Sequence, residues 1–470
     1  MTMMMRLRPA FLLLPLLAAC SSGPDFAPPA PPADSSYSQA GDHLLSAERS
    51  QLPVDWWHLY QSPELDRVIG EIVAGNRSLA AAEARMEQAR QLVAATEGIE
   101  APQLAVGGAA GRQKYGVALF GPTNFAIPPF NYYEAGPTAS YSLDLFGGEK
   151  RAVERQKALA DYQREQWDAV RQNLIADAAL QAIAIAAVRA EIAIAQEITA
   201  GDRRTVELAR KGRDDGGLSE NDVVAAETQL ASDRALLPPL QQQLATARHA
   251  MAVLAGKSPH EWAPPDFELA SFALPAKLPM TLPSDLVRSR PDIRAAEAEL
   301  HAATAAVGIA EANRYPQITL TASATLETLQ PQNLFELNHA AAAVAGSVTQ
   351  TIFDGGRLKA EQRSAEAALK AQSELYRQTV LNAFGQVADA LQALENDGDA
   401  WPLAGTALDL ALHRAELAGK ERDAGNSGLV PLLMAQRNAR LIRLNLIAAQ
   451  ARRLQDLAIL CQRLGGAYQL

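Results

Sequence analysis

The sequence predicts an α+β protein, in which each of two similar repeats supplies long helices and a pair of amphipathic β-strands. Three observations support this class. Residues 207–217 (ELARKGRDDGG) and 416–426 (ELAGKERDAGN) agree at seven of eleven positions without a gap, at an offset of 209 residues. Long Ala-rich stretches carry apolar residues at helical spacing. Between them lie short stretches in which apolar and hydroxyl residues alternate, as in a strand with one polar face.

The composition of the 470-residue chain suits helices that pack closely rather than a thick globular core. Apolar residues make up 48% of the sequence and aromatic residues only 6%, and alanine is the commonest of the apolar residues. Small side chains let helices approach one another closely. A net charge of −10 argues against nucleic acid as a partner, since phosphate binding requires a basic surface.

Residues 1–19 have the pattern of a secretory signal peptide, with a positively charged start and an apolar run too short to span as a helix. The string LAAC, which ends at Cys20, resembles the bacterial lipobox, in which the cysteine becomes the lipidated first residue. An ordinary signal peptide cleaved near Ala19 is the alternative. Ser21 rather than aspartate follows the cysteine. By resemblance to other lipoproteins, this favours delivery to the outer membrane.

Residues 20–62 are predicted to form a lipid-anchored tether and a segment that packs on the body of the protein. The first part is rich in Pro, Ser and Ala, which suits an extended chain. Trp56 and Trp57 are candidates for anchoring it. Cys461 has no intrachain disulfide partner once Cys20 is lipidated, and we expect it to be a buried thiol.

Two repeats, residues 63–257 and residues 285–466, are predicted to follow. Each contains a helix, two strands, a long helix, a tight turn and a return helix, in that order. The tetrapeptide AAEA occurs in the first helix of both repeats, and a Pro-Gln pair opens the first strand of both. Proline cannot continue a helix, so each first helix should end there. A Pro-rich equatorial strap, residues 258–284, connects the repeats, and residues 467–470 form a tail.

Four segments alternate between apolar and polar residues with a period of two. In PQITLTASATLE, Ile318 and Leu320 share one face and the threonines share the other. The other segments contain Leu104, Tyr141 and Val344. A half-exposed sheet is one interpretation, but the preceding lipoprotein signal favours a membrane β-barrel with a wet lumen. Four strands cannot close such a barrel and open edges are not tolerated in lipid, so at least two chains must contribute.

The long helix of each repeat follows a matched corner, LFGGEKRAVE in the first repeat and IFDGGRLKAE in the second. No proline occurs between Lys150 and Lys211, so about 62 residues of helix should extend ~90 Å. A globular protein does not need such a rod, whereas crossing a periplasm does. In the second repeat, the sequence NDGDAWP, which ends at Pro402, should kink or break the helix.

Four motifs resemble those of the outer membrane factors, the channel-tunnels of tripartite efflux and type I secretion, and most closely their lipoprotein branch: WWHLYQSPELDRVI, SYSLDLFGGEKRAVE, LPSDLVRSRPDIRAAEAELHAATAAVGIAEANRYPQITLTAS and TIFDGGRLKAE. The similarity covers nearly the whole mature chain. It implies an α+β membrane protein that forms a homotrimer. Long antiparallel helical hairpins then form an α-barrel, and four β-strands per chain contribute to a 12-stranded β-barrel.

The resemblance also implies a function, the outer-membrane channel of a tripartite efflux system that passively exports small molecules from the periplasm. The expected partners are outer membrane lipid, a periplasmic adaptor and an inner-membrane pump of the RND type. A type I protein-secretion conduit is one alternative, and a periplasmic coiled-coil lipoprotein without a pore is another. The sequence has no Walker motif and no metal-binding histidine pair. We therefore expect no enzyme activity and no cofactor beyond the covalent lipid on Cys20.

In the family, the hairpin turns converge to close the periplasmic entrance, where carboxylates form rings around the axis. Here aspartate follows the arginine of each turn, where the family usually has an aromatic residue, and Pro431 occupies the place equivalent to Asp222. Helix capping and turn formation are the alternative roles for these aspartates. The candidates for a cation-preferring gate are Asp222, Asp214, Asp423, Arg213 and Arg422.

The turns also match the places where the family meets its adaptor hairpins. Glycine-rich turns leave the backbone accessible and need left-handed conformations that glycine adopts readily. The candidates for contact with the adaptor are Asp215, Gly216, Gly217 and Leu218 in the first turn, and Gly425, Gly428 and Leu429 in the second.

Overall fold

The computed structural model describes residues 22–30, 45–49, 53–114, 128–275, 278–280 and 283–465. In chain order, its elements are β1 (Leu45–Arg49), α1 (Pro63–Gly75), α2 (Arg77–Glu97), β2 (Gln103–Gln113), β3 (Phe130–Leu143), α3 (Gly148–Asp214), α4 (Glu220–Arg234), α5 (Leu237–Leu254), β4 (Leu278–Met280), α6 (Pro283–Ser289), α7 (Pro291–Ala312), β5 (Gln317–Thr328), β6 (Ala340–Thr349), α8 (Arg357–Asp423) and α9 (Leu429–Leu464). The predicted signal peptide, Cys20 and the C-terminal tail lie outside the described residues.

The chain divides into two compact units, and each draws on both predicted repeats. The strand unit comprises Met1–Pro29, Arg85–Gln163 and Ala295–Tyr376. The hairpin unit comprises Ala30–Ala84, Arg164–Arg294 and Arg377–Leu470.

The strand unit contains the four predicted strands in one antiparallel sheet, in the order β2-β3-β5-β6. The register places Ser142 opposite Thr319 and Thr319 opposite Ser347, so hydroxyl residues form a row across three strands. In the next row, Ile318 lies opposite Val348, which is 67% exposed. The register thus confirms the predicted apolar and polar faces. Within the described residues, β2 and β6 are open edges, which a barrel closed by further chains would pair.

The two long helices, α3 and α8, each contain 67 residues. The predicted 62-residue helix of the first repeat is therefore confirmed. α3 includes a window apolar enough to cross a membrane, and half of that window is buried inside the chain. Ile183, Ile185 and Ile198 are among its fully buried side chains, so the apolar run serves the core of the protein.

The sequence predicts a kink or a break at NDGDAWP, and the break is wrong, because α8 continues through Pro402. The segment is held against α9 by the guanidinium of Arg453, which lies 4.8 Å from the centre of the Trp401 ring. The Thr406 hydroxyl also donates to the Pro402 carbonyl at 3.0 Å. Packing along the helix outweighs the roughly 3 kcal/mol that an interior proline costs relative to alanine.

Two helices predicted as continuous are each divided. The return helix of the first repeat is interrupted between α4 and α5, because Pro238 and Pro239 provide no backbone N–H. The opening helix is interrupted at Asn76, whose backbone is extended and whose side-chain oxygen accepts from the N–H of Leu79 at 2.8 Å. In the second repeat, α9 is one helix of 36 residues.

The predicted tether and strap meet in the hairpin unit, where β1 and β4 form a short parallel pair. This pairing was not predicted, because neither segment shows a periodic pattern. Trp56 and Tyr60 are buried, and the Tyr60 hydroxyl donates to the carbonyl of Leu454 at 2.6 Å. Cys461 is 1% exposed, and burial raises the pKa of its thiol. It is the buried thiol that the sequence predicts.

Candidate functional site at the hairpin tips

The first tip connects α3 to α4 through a tight turn. Gly216 has a φ of +78°, a left-handed conformation that favours glycine. The N–H groups of Gly217 and Leu218 donate to the carbonyl of Gly212 at 2.8 and 3.0 Å. Leu218 folds back onto Gly212, where an added Cβ would lie 2.7 Å from the leucine Cδ1. The turn therefore has a defined shape and presents a partly exposed leucine.

Arg213 is held between two carboxylates at this tip. Its Nε and Nη2 donate to Asp214 Oδ1 at 3.0 and 2.7 Å, and its Nη1 donates to Glu220 Oε2 at 3.0 Å. The side chains of Asp214 and Glu220 are 64% and 68% exposed. The structure thus brings together the predicted pair Arg213 and Asp214. Glu220 was missed by sequence reasoning, although its place in the first turn of α4 is typical of an acidic residue.

Asp222 forms a capping box with Ser219 at the start of α4. Its Oδ2 accepts from the backbone N–H of Ser219 at 2.8 Å and from the Ser219 hydroxyl at 2.7 Å. In return, the N–H of Asp222 donates to Ser219 Oγ at 3.3 Å. The backbone bond first, and then the hydroxyl bond, hold the pKa of Asp222 below its usual value. The side chain is therefore an ionised helix cap that remains exposed to solvent.

The second tip connects α8 to α9 in the same way. Gly425 has a φ of +76°, and the N–H of Asn426 donates to the carbonyl of Glu421 at 2.9 Å. Arg422 donates through Nε and Nη2 to Asp423 Oδ1 at 3.1 and 2.5 Å. The predicted pair Arg422 and Asp423 is therefore formed, and Asp423 is 67% exposed.

The two tips have equivalent backbones but unequal chemistry. At the constant offset of 209, Leu429 replaces Glu220, so the arginine of the second tip lacks a second carboxylate. Gly428 replaces Ser219, and the start of α9 has no side-chain cap. From residue 211 to 222 the first tip has four carboxylates and two cations, whereas residues 420–431 have two of each. Excess negative charge therefore belongs to the first tip alone.

A buried ionic cluster joins the two hairpins further from the tips, and we call it the Asp202 cluster: Asp202 on α3, Asp233 on α4, and Arg437 and Arg440 on α9. Arg437 forms a two-pronged bond to Asp233, in which Nη2 donates to Oδ1 at 2.7 Å and Nε donates to Oδ2. Asp202 is 5% exposed and Asp233 is 4% exposed. Sequence reasoning missed this cluster, because nothing in a single helix identifies a partner on α9.

The carboxyl group of Asp202 has a buried oxygen, Oδ2, that lacks a hydrogen-bond partner among the described residues. Burial, together with the neighbouring Asp233, raises the pKa of Asp202 to about 6. Burial also opposes ionisation of Asp233, but the bonds from Arg437 hold its pKa below the usual value. One carboxylate is thus firmly ionised, and the other titrates in the mildly acidic range.

An open groove of about 430 Å³ lies between α3 and α4. Arg203, Arg210 and Arg234 line it together with Glu207 and Glu227. Arg210 Nη2 donates to Glu227 Oε1 at 2.6 Å. Because three basic and two acidic side chains line the groove, its lining has an excess of positive charge. It lies on the hairpin whose tip carries the excess of acidic residues.

Comparison with known proteins places this geometry in a family. The model of the family described as outer membrane efflux protein matches residues 68–257 and 282–466. Nodulation protein T of Rhizobium leguminosarum bv. trifolii is 27% identical over 459 residues, which cover 96% of both chains. The toluene efflux pump outer membrane protein TtgF of Pseudomonas putida is 29% identical over 96% of this chain and 95% of its own. The outer-membrane channel OprN superposes with a TM-score of 0.86 at 26% identity, over 95% of this chain and 99% of its own.

These matches confirm the predicted trimeric channel fold, with its helical barrel and four strands per chain. They confirm the location in the outer membrane and the role of an efflux channel that works with an adaptor and an inner-membrane pump. The family consists of export conduits rather than enzymes. Because the model of the outer membrane efflux protein family matches most of the length of this chain, the chain belongs to that family.

Proposed function

We propose that this chain is a passive conduit for small molecules, whose periplasmic entrance is gated by the two hairpin tips and whose cation preference comes from the first tip. The observation that carries the proposal is the pair of equivalent turns: α3 and α8 end 209 residues apart, each with an exposed Arg–Asp pair. Three copies of each tip around an axis would bring exposed carboxylates into rings. Fixed charge lining a constriction selects permeant ions by sign.

Because the two tips carry unequal charges, they are expected to affect ion selectivity to different extents. Asp214, Glu220 and Asp222 of the first tip are all exposed, and Arg213 offsets only part of their charge. In the second tip, Arg422 faces Asp423 without a further acidic partner at Leu429. Each copy of the first tip has a net charge of −2 and each copy of the second has none. Removing a carboxylate from the first tip should therefore change ion selectivity more than removing one from the second.

Single-channel recording in planar bilayers tests this proposal. We expect Asp222→Ala to give a larger and less cation-selective current, because it removes both the charge and the cap of α4. Asp222→Asn separates these effects, since the amide oxygen still accepts from Ser219 but the charge is lost. Asp423→Asn is the matched variant of the second tip and should shift the reversal potential less. Equal selectivity in wild type, Asp222→Ala and Asp222→Asn would refute the assignment of Asp222.

The adaptor is proposed to bind the two turns, which explains why they are glycine-rich and exposed. In the first tip, Leu218 offers an apolar contact beside the accessible turn of Asp215, Gly216 and Gly217. In the second, Gly425, Gly428 and Leu429 occupy the equivalent surface. The basic groove between α3 and α4 suits acidic side chains of the partner. A photo-crosslinker at Leu218 should capture an adaptor in intact cells, whereas one at Leu412, exposed on α8 away from the turn, should not.

The remaining features of the proposal concern the membrane anchor and the pump. The lipobox supports acylation of Cys20, and we propose no other covalent group or cofactor and no catalytic activity. Mass spectrometry of the mature amino terminus tests the acylation, and Cys20→Ser is its control. The pump is proposed to be of the RND type, because small-molecule efflux, as in the name of TtgF, is the favoured use of the channel. Copurification with an ABC transporter would favour the protein-secretion alternative.

A further inference from the structure

The strand unit holds the chain that follows Cys20 in a defined position. Ser22 donates its backbone N–H to the carbonyl of Phe146 at 3.0 Å, just beyond the end of β3. The sequence predicts an extended tether that begins at Cys20. The structure adds that this chain is held in place within two residues of that cysteine.

Arg151 on α3 is the centre of the contact. Its side chain is 5% exposed, and it donates from Nε to the Ser22 carbonyl at 3.1 Å and from Nη2 to Asp25 Oδ1 at 2.6 Å. Its remaining nitrogen, Nη1, donates to Glu154 Oε2 at 2.6 Å. Burying a guanidinium is costly unless its donors are satisfied, and here the amino-terminal segment satisfies two of them.

Two further contacts, which do not involve this charge, fix the same segment. Gly23 has a φ of +83°, and a Cβ on it would collide with the backbone of Gly308 on α7. A Cβ on Gly308 would in turn lie 2.7 Å from the Ser22 carbonyl oxygen. The ring of Phe26 stacks on His301 with centroids 4.3 Å apart. Backbone shape, charge and an aromatic face thus all recognise the segment Ser22–Phe26.

Glu154 links the charged and aromatic parts of the site. It accepts from Arg151 through Oε2, and its Oε1 lies 2.9 Å from Nε2 of His301. Burial opposes ionisation of this carboxyl, but the hydrogen bonds from Arg151 and His301 hold its pKa below the usual value. An ionised Glu154 therefore orients both side chains that touch the amino-terminal segment.

The internal repeat shows that this arrangement is specific to one place in the chain. In the second corner, Leu358 is equivalent to Arg151, although Glu361 still matches Glu154. In the first helix of the first repeat, Ala94 and Glu87 are equivalent to Gly308 and His301. The other copy thus lacks the cation and the imidazole, and it has a Cβ where close backbone approach is required. Helix packing alone does not demand these residues, because the other copy folds without them.

We propose that Arg151, Glu154, His301 and Gly308 form a receptor site for the mature amino terminus, the amino-terminal socket, which fixes the acylated Cys20 beside the end of β3. Two residues of extended chain span at most about 7 Å, so a docked Ser22 limits how far an acylated Cys20 can move from the end of β3. One socket per chain gives three fixed anchors in the trimer. This inference rests on the acylation of Cys20 proposed above.

Hydrogen exchange with mass spectrometry on the full-length trimer tests both parts in one spectrum. The mass of the amino-terminal peptide reports acylation, and exchange of the Ser22 amide reports docking. We expect an acylated peptide with a protected amide in wild type. Gly308→Ala and Arg151→Leu, which copy the residues of the other repeat, should each accelerate exchange at least roughly tenfold. Glu361→Gln, at the equivalent place without a socket, should leave exchange unchanged.

Phe26→Ala provides a variant in which both socket helices keep their sequence. It should accelerate exchange of the Ser22 amide while the protein remains a trimer. Equal exchange in wild type, Gly308→Ala and Phe26→Ala would refute the socket, even with Cys20 acylated. A protected Ser22 amide on an unmodified Cys20 would overturn the anchor here and the acylation proposed above. The channel function would be unaffected by either result.

Discussion

The Asp202 cluster predicts that contact between the two hairpins of one chain weakens as the pH rises through the mildly acidic range. Asp202 is buried with a pKa of about 6, and separating the hairpins would return it to water, where the usual value is near 4. The packed state therefore binds the proton more tightly than the separated state. Stability from this group is fully present below pH 4 and is lost as the pH rises through 6.

The size of the effect follows from these two values. Linkage gives a difference of about 1.4 kcal/mol between pH 5 and pH 7.5, or roughly tenfold in the equilibrium between packed and separated hairpins. Asp202→Asn keeps the size of the side chain and cannot ionise. Its hairpin contact should be independent of pH over this range and at pH 7.5 as strong as, or stronger than, that of wild type.

Hydrogen exchange at α4 and α9, expressed as protection relative to the unfolded chain, measures this equilibrium at each pH. Wild type should lose about tenfold in protection between pH 5 and pH 7.5, and Asp202→Asn should lose none. Asp214→Asn is the control, because it removes an exposed carboxylate of the first tip and should retain the wild-type dependence. If the loss of protection persists in Asp202→Asn, Asp202 is not the group that titrates.

Three further predictions concern single contacts. Ser219→Ala removes the hydroxyl that caps α4 and should cost about 1 kcal/mol, seen as roughly fivefold faster exchange of amides in the first turn of α4, with the first turn of α9 unchanged. Tyr60→Phe leaves the buried carbonyl of Leu454 without its donor and should lower the free energy of unfolding by about 1–3 kcal/mol, measured by denaturant titration in detergent; an unchanged midpoint would show that another donor replaces the phenol. Cys461, buried with a raised pKa, should resist maleimide in the folded trimer and react once the protein is denatured.

The sequence was sufficient for features that recur along a single element. Period-two alternation found all four strands of the sheet, and the absence of proline found the 67-residue helix α3. It failed where tertiary contacts decide the outcome. Pro402 has the local signature of a helix break, but Arg453 from α9 packs over the neighbouring Trp401. The pair β1 and β4 joins two segments without periodicity. The sequence around Asp202 does not indicate that Arg437 and Arg440 of α9 lie near it. Local patterns therefore located the tips and their Arg–Asp pairs, whereas the ionic cluster required the fold.

The differences between the repeats are more informative about function than their similarities. The shared residues, such as the glycines at the turns and the Arg–Asp pairs, build equivalent backbones twice in each chain. The features with distinctive chemistry occur at places where the second copy has a different residue at the equivalent position. Pro431 is equivalent to Asp222, Leu429 to Glu220, Ala411 to Asp202 and Leu358 to Arg151. In a trimer this gives six similar hairpins but only three acidic tips, three titrating carboxyls and three amino-terminal sockets. In the proposed gate we therefore expect threefold rather than sixfold symmetry of opening, because only the first tip of each chain carries excess negative charge.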